Sequence, residues 1–284
     1  MIHLNSVRFT YDEQDASAVE DVSFSVRPGS LVCIGGAECS GKTTLFRLLN
    51  GTAPGAFPGS LSGTILVNGI DPSECGHAAL GESATSVFDD PDSQIISLTV
   101  EEEVSFALVQ RGFSYDEIRL RVSDALSRVG LSGFESRQTA SLSGGQKQRL
   151  VMASAVALRP KILLVDEGTS ALDPVGAREF YTIINEMRER DGTTAVVIER
   201  DLELMLEFAD EILILEKGKI TLSGTPTNVC QGPQILQRAG LRLPVWLALC
   251  AELRQRSLLE EALPASEEEA VRLLAPLAAI RESA

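Results

Sequence analysis

One stretch, Gly36-Ala37-Glu38-Cys39-Ser40-Gly41-Lys42-Thr43-Thr44, limits what this chain can fold into more than any other. An apolar run, Leu31 to Ile34, leads into it, and a helical pattern, Leu45, Leu48 and Leu49, follows it. Strand, glycine loop, Gly-Lys-Thr and helix, in that order, read as a phosphate-binding loop. Gly36 and Gly41 allow successive backbone N–H groups to turn inward around phosphate oxygens. The start of the following helix adds unpaired N–H groups and the positive end of its dipole. Lys42 is a mobile charge able to reach β- and γ-phosphates, and Thr43 offers a hydroxyl to Mg²⁺. Ser40 and Thr44 complete the set expected to touch the nucleotide.

The rest of the chain supplies a frame for such a loop. Ile2 to Phe9 and Val22 to Val26 alternate as strands, and Thr64 to Val67 and Ser86 to Phe88 read as further short strands. Gly51 to Gly63, rich in Gly, Pro, Ser and Ala, reads as a loop. So does the polar segment Asp89-Asp90-Pro91-Asp92-Ser93-Gln94. Thr99 caps a helix from about Val100, with Glu101, Glu102 and Glu103 as a solvated acidic first turn. Ser114 to Val129 is helical. Ser141-Leu142-Ser143-Gly144-Gly145-Gln146 opens another helix, an anion site by geometry. Ile162 to Val165 is an apolar strand ending in Asp166-Glu167, carboxylates placed where open α/β sheets bind ligands. Pro174 to Arg190 is a helix, and Thr194 to Ile198 and Glu211 to Leu215 are strands. Strands alternating with helices predict an α/β fold with a mostly parallel sheet. After about Pro226 the texture changes to short amphipathic helices, Ile235 to Ala239, Val245 to Arg254 and Glu267 to Leu274.

Composition narrows the function. A formal net charge of -15 opposes a nucleic-acid partner, because a phosphate backbone needs a basic face. The N-terminal residues have no signal-peptide pattern and no apolar run approaches a membrane span, which predicts a cytoplasmic protein. The cysteines, Cys33, Cys39, Cys75, Cys230 and Cys250, have no metal-type pairing. All but Cys39 read as small apolar residues.

Together the motifs resemble the ATP-binding subunit of an ABC transporter. Lys42 sits in the family's first phosphate motif, Leu142 to Gln146 matches its LSGGQ signature, and Ile162 to Glu167 matches its Mg-associated motif. Ser170-Ala171-Leu172-Asp173 matches the loop after it. Tyr11 falls where the family has its adenine-stacking aromatic. The resemblance implies an ABC-type P-loop ATPase with a mixed sheet and a RecA-like core over residues 1–225. It also implies a helical subdomain at about 95–160 and a C-terminal helical appendage at 226–284. Val87 to Gln94, Thr99 to Val104, Phe57 to Gly63 and Ala239 to Arg256 look more narrowly like the energy-coupling factor group, which imports vitamins and metal ions. That resemblance implies a second ABC ATPase subunit, a transmembrane coupling subunit and a membrane substrate-binding subunit. The chain would then be peripheral on the inner face of the cell membrane. The implied mechanism sandwiches each ATP between one chain's phosphate loop and the other's signature. Lys42, Thr43 and Asp166 would hold phosphate and Mg²⁺, and Glu167 would polarise the attacking water. Ser143, Gly144, Gly145 and Gln146 would serve the partner's nucleotide.

Three positions depart from that pattern. Asp89 stands where the family has glutamine, Arg200 where it has histidine and Cys39 where it has glycine. Arg200 is always protonated and is no acceptor, yet it can grip a phosphate with its fork. Cys39 is strained if its φ is positive. One reading pairs Asp89 with Arg200 and makes the chain's own site slow or structural, completing the site of an unlike partner. The other lets Arg200 take over the histidine's phosphate contact, with the site turning over. A DNA-repair or translation ABC protein is a further class. The acidic charge, and the lack of a second ATPase unit or a coiled-coil insertion, oppose it.

Overall fold

The apolar runs around the phosphate loop become the centre of a sheet. The computed structural model describes residues 1–81 and 83–279. It begins with β1 (Ile2–Tyr11), β2 (Val19–Val26) and β3 (Leu31–Gly35), then α1 (Lys42–Leu49), β4 (Gly59–Val67), α2 (Pro72–Leu80) and β5 (Ala84–Val87). There follow α3 (Pro91–Gln94), α4 (Val100–Gln110), α5 (Tyr115–Arg128), α6 (Gly144–Leu158), β6 (Ile162–Asp166) and α7 (Pro174–Asp191). The chain continues through β7 (Thr194–Ile198), α8 (Leu202–Phe208), β8 (Glu211–Glu216) and β9 (Lys219–Gly224). It ends in α9 (Pro226–Cys230), α10 (Pro233–Arg238), α11 (Val245–Gln255) and α12 (Glu267–Ala279).

The larger sheet has the order β5-β6-β7-β3-β8-β9. Its strands are parallel except β9, which returns antiparallel to β8, so the sheet is mixed, as expected. β3, β6 and β7 are buried throughout. Both faces are covered, which is why these strands read as continuous apolar runs rather than alternating ones. Alternate residues still divide between two cores. Val32, Ile34, Ile162 and Leu164 face the smaller antiparallel sheet, β2-β1-β4, and pack with Ile2, Leu4, Val7 and Phe9. Leu31, Cys33, Leu163 and Val165 face the helices and pack with Leu150, Phe180 and Tyr181. The register pairs Ile34 and Asp166 with Ile198, bringing the carboxyl ends of β3, β6 and β7 level on one edge.

Some local expectations change for tertiary reasons. The loop read at 51–63 is strand from Gly59 onward, because its backbone pairs with β1, Tyr11 against Gly59 and Phe9 against Leu61. Sheet pairing overrides the weak strand propensity of a Gly- and Ser-rich segment. Within the polar loop 89–94, Pro91–Gln94 makes one helical turn, capped by the Asp90 side chain. Thr99 caps α4 in a full capping box with Glu102. Glu103 is not solvated: it is buried, and its Oε2 accepts the N–H groups of Ile96 and Ser97. Cys33, Cys230 and Cys250 are buried, but Cys75 is exposed and so is not a core residue.

Beyond Pro226 the helical segments appear close to their expected places. Leu236, Ala239, Leu241, Leu247 and Cys250 join the helix-side core. Residues 280–284, the end of the expected appendage, lie outside the described residues. The turn between α10 and α11 reaches the phosphate loop. Gly240 has φ +77°, and a Cβ added there would lie 2.8 Å from that of Ala37. A side chain at 240 must therefore displace the loop as well as bear left-handed strain of about 1–2 kcal/mol. Gly240→Val is expected to weaken ATP binding by about tenfold, a loss of about 1.4 kcal/mol, in a fluorescent-nucleotide titration.

Candidate nucleotide site

The phosphate loop leaves β3 and enters α1 with its N–H groups open. Gly41 at the N-cap has φ 105° and no side chain caps the helix. The missing cap leaves the first-turn donors to an anion. Gly36 has φ +145°, and a Cβ there would lie 2.3 Å from the carbonyl oxygen of Leu215, so only glycine fits. Cys39 has φ 59° and an exposed thiol. The strain anticipated for a side chain at that position is therefore present. The Lys42 ammonium is curled onto its own loop, donating to the carbonyls of Gly36 at 2.8 Å and Ala37 at 2.7 Å. Burial pulls its pKa down while Glu167 pushes it back up.

A cavity of about 610 Å³ lies over the loop. Ser40, Gly41, Lys42, Thr43 and Thr44 line its floor, and Tyr11, Glu167 and Arg200 line its walls. The Tyr11 ring stands edge-on to Phe9, with centroids 4.9 Å apart. Its hydroxyl is 3.1 Å from Thr44 Oγ1 and accepts Arg47 Nη1 at 3.1 Å, which anchors the ring at the cavity mouth. Ser143, Gly144, Gly145 and Gln146 are not among the residues lining this cavity. They stand at the start of α6, where Ser143 Oγ accepts the Gln146 N–H and Gln146 Oε1 accepts the Ser143 N–H. The Gln146 side chain is thus committed to its own helix end. Lys147, one residue on, forms an ion pair with Asp92 and ties α6 to the loop that carries Asp89.

The carboxylates gather at the ends of β6 and β7. Asp166 is buried, and that burial, with the charges of Asp89 and Glu167 added, raises its pKa to about 7. The expected Asp89–Arg200 pair does not form. Arg200 Nε donates to Glu167 Oε1 at 2.7 Å and its Nη1 to Glu38 Oε1 at 2.7 Å. Asp89 is exposed, and its Oδ1 accepts the N–H of Asp90. Arg200 is taken up by Glu167, after β6, and by Glu38 of the phosphate loop. The Glu167 hydrogen bond is the main reason that its pKa is raised further. Glu167 itself is held at φ 49°, in the left-handed region.

Sequence reasoning passed over Glu38, Arg47, Thr169 and Glu199. For Glu199 a signal was present, since an apolar strand running straight into a carboxylate is what marked Asp166. Glu38, Arg47 and Thr169 had none, because their roles are made by partners distant in the chain.

The ABC transporter family model matches residues 19–170. The chain belongs to the ABC transporter family. The subunit is similar, at 39% identity over 257 residues covering 90% of each chain, to the energy-coupling factor transporter ATP-binding protein EcfA1 of Enterococcus faecalis. A second protein of that name, from Levilactobacillus brevis, is 37% identical over 258 residues, covering 91% of this chain and 90% of the relative. Among solved structures, cbiO1 of Clostridium perfringens, part of the ABC transporter complex cbiONQ, has a TM-score of 0.73 at 32% identity. That match covers 87% of this chain and 97% of cbiO1. An ATP-binding cassette solved as a dimer in a post-hydrolysis state, bound to ADP and Pi, has a TM-score of 0.71 at 26% identity. It covers 79% of this chain and 98% of its own. This ABC subunit is accordingly an ATPase. No described helix is long and apolar enough to cross a membrane.

The donor set suits Mg²⁺. A buried carboxylate at Asp166 and a hydroxyl at Thr43 are hard oxygen ligands, and a bound cation would offset the burial, and the repulsion from Asp89 and Glu167, that raise the Asp166 pKa. Among the described residues no group of three or more His, Cys, Asp or Glu side chains is placed to hold a metal alone. A magnesium site at a nucleotide needs only one or two protein ligands beside the phosphates. A pH effect follows. Between the ordinary value of 3.8 and about 7, folded Asp166 keeps a proton that the unfolded chain releases. Its contribution to stability is therefore present at low pH and lost as pH rises through that window. In chelator and without nucleotide, the ABC subunit's melting temperature is expected to fall relative to Asp166→Asn as pH rises from about 4 to 7. Differential scanning calorimetry on both proteins measures the difference.

Proposed function

We propose that this chain is the ATP-hydrolysing subunit of an energy-coupling factor importer, driving uptake of a vitamin or metal ion through membrane partners. The observation that carries the reading is the separation of its two half-sites. Lys42, Glu167 and Arg200 line one cavity, and Ser143 and Gly144 stand exposed outside it. Each half then needs a second ATPase chain to complete it. Lys42, with the loop N–H groups, would bind the β- and γ-phosphates, and Tyr11 would meet the adenine. Thr43 and Asp166 would hold Mg²⁺, whose chemistry is to neutralise charge on the phosphates. Glu167 would accept a proton from the attacking water. Ser143, Gly144 and Gly145 would present a hydroxyl and helix-start N–H groups to the partner's γ-phosphate, with Gln146 as their cap. Residues 1–225 act as the ATPase unit, with 95–160 as its helical part and 226–284 as an appendage braced on the phosphate loop.

A groove between β5, α4 and α6 supports the membrane partner. It is lined by Ile96, Phe106, Ala107, Val151, Ala155 and Leu158. Ile96 is 65% exposed and Phe106 45%. Apolar side chains left in water in a groove mark a protein-binding surface. Here the fitting occupant is a cytoplasmic segment of the transmembrane coupling subunit, which holds the ATPase at the inner face of the membrane. Lys147 and Asp92 connect this region to the signature helix.

A second reading draws on the Arg200–Glu167 ion pair. Arg200 Nε occupies Glu167 Oε1, one of the two oxygens that could meet the attacking water, so on this reading the site is slow by design while the signature serves an unlike partner. ATP turnover by the purified chain, alone and assembled with its membrane proteins and any copurifying second ATPase, tests both. Turnover alone, abolished by Glu167→Gln, is the result for a self-sufficient engine. Binding of ATP with hydrolysis only beside an unlike ATPase is the result for the asymmetric dimer. Failure to associate with any membrane protein overturns the importer assignment.

A further inference from the structure

We infer that Glu199 is a positioning residue that locks the loop carrying Arg200 to the loop carrying Glu167, keeping both groups aimed at the γ-phosphate. The inference rests on the proposed reading that Arg200 and Glu167 face that phosphate.

Glu199 follows directly on β7 and is 3% exposed. Its Oε1 accepts the backbone N–H groups of Arg200 at 2.7 Å and Asp201 at 3.1 Å. Its Oε2 accepts the hydroxyls of Thr169 at 2.8 Å and Tyr181 at 3.1 Å. An ionised carboxylate has about four acceptor positions, and these donors fill them. Burial pushes its pKa up, and the donors oppose that shift. None of the four donors is a cationic side chain. The arrangement is a buried anion held by dipoles, a costly thing to place in a core unless its contacts do something.

The partners come from separate parts of the chain. Arg200 and Asp201 belong to the turn after β7, where Asp201 goes on to cap α8 through the Glu203 N–H. Thr169 lies two residues beyond Glu167, whose own N–H donates to the Ile198 carbonyl at 3.1 Å. Tyr181 lies on α7, stacked on Phe208 with ring centroids 5.0 Å apart. One side chain therefore fixes both ends of the Arg200–Glu167 ion pair from beneath. Glu167 sits at a strained φ of 49°, which persists only where the surroundings over-determine it. The Glu199 tie to Thr169 is one such constraint. The Arg200 side chain is 53% exposed and Glu167 is half-buried, so the ion pair meets solvent on one side and is weak alone, and its geometry comes from the buried carboxylate below it.

A positioning role differs from a packing role in what it does to ligand discrimination. ATP and ADP share the loop and Lys42 but differ in the γ-phosphate. The test is titration of the purified full chain with ATP and with ADP in Mg²⁺. Glu199→Val is expected to weaken ATP by about tenfold or more, the size of one lost charge-assisted contact, with ADP unchanged. Glu199→Gln is expected to keep the wild-type ratio. Its amide oxygen accepts from Arg200 and Asp201, and its NH₂ donates to hydroxyls that can turn to accept. Thr169→Val, nearly isosteric, cuts the link to the Glu167 loop alone. It is expected to lose part of the discrimination, and it serves as the test if Glu199→Val does not fold. Tyr181→Phe is expected to leave the ratio unchanged. Arg200→Ala is the control. If it loses ATP preference while Glu199→Val and Thr169→Val keep it, the positioning role is overturned and the site reading stands. If Arg200→Ala keeps the preference, the site reading falls and the inference with it. Equal weakening of ATP and ADP by Glu199→Val would mean a packing role and overturns the proposal.

Discussion

Lys42→Ala is expected to weaken ATP binding by about ten- to a hundredfold. The figure follows from one or two charge-assisted hydrogen bonds at about 1.5–3 kcal/mol each, less what the loop regains. In the structure Lys42 Nζ rests on the Gly36 and Ala37 carbonyls, 2.8 and 2.7 Å away, so the ammonium is pre-placed inside the loop. A phosphate competes with those carbonyls for a charge already desolvated by burial, which is cheaper than drawing a lysine out of water. Alanine also leaves the two carbonyls facing the phosphate with no cation between them. Isothermal titration with ATP and Mg²⁺ reads the change, and ADP should lose less because it offers no γ-phosphate. A change under threefold would mean that the loop N–H groups bind the nucleotide without Lys42.

Glu167→Gln separates chemistry from binding. Turnover is expected to fall on the order of 10²–10⁴-fold, the usual worth of a general base. ATP affinity should move little, because glutamine keeps the shape and its amide oxygen still accepts Arg200 Nε. The measurement is steady-state phosphate release at saturating ATP, with nucleotide affinity taken separately. If hydrolysis falls by less than tenfold, Glu167 is not the base, and the Arg200 pair would then mark a site held back from catalysis. Lys42 and Glu167 substitutions thus divide one cavity into a binding half and a reacting half.

Much of this was legible in the chain itself, for a physical reason. A phosphate loop needs glycine at fixed places, a lysine and a hydroxyl, all adjacent in sequence, so Gly36, Gly41, Lys42 and Thr43 announce themselves. Buried parallel strands must be apolar throughout, so Leu31–Gly35, Ile162–Asp166 and Thr194–Ile198 stood out, as did the carboxylates that end the second of them. Helix capping is local chemistry, and Thr99 and Ser143 cap as their sequence contexts predict.

What sequence left open were pairings between residues far apart. Arg200 and Asp89 carry opposite charges and suggested each other. Which carboxylate Arg200 meets depends on which strand ends lie side by side, and the β6-β7-β3 order brings Glu167 and Glu38 to it instead. The strand at Gly59–Gly63 exists because β1 lies beside it, since Gly and Ser have little preference of their own. Glu199 looks like any acid at a strand end until Thr169, Tyr181 and the turn after β7 close around it. Gly240 is an ordinary turn glycine until the chain's last third folds back onto Ala37. The phosphate loop and the α/β class could be read from the chain alone, because each is written in contiguous residues. Which charges pair and which segments brace the loop emerged with the folded arrangement, because charge and close packing act through space and are indifferent to distance along the chain.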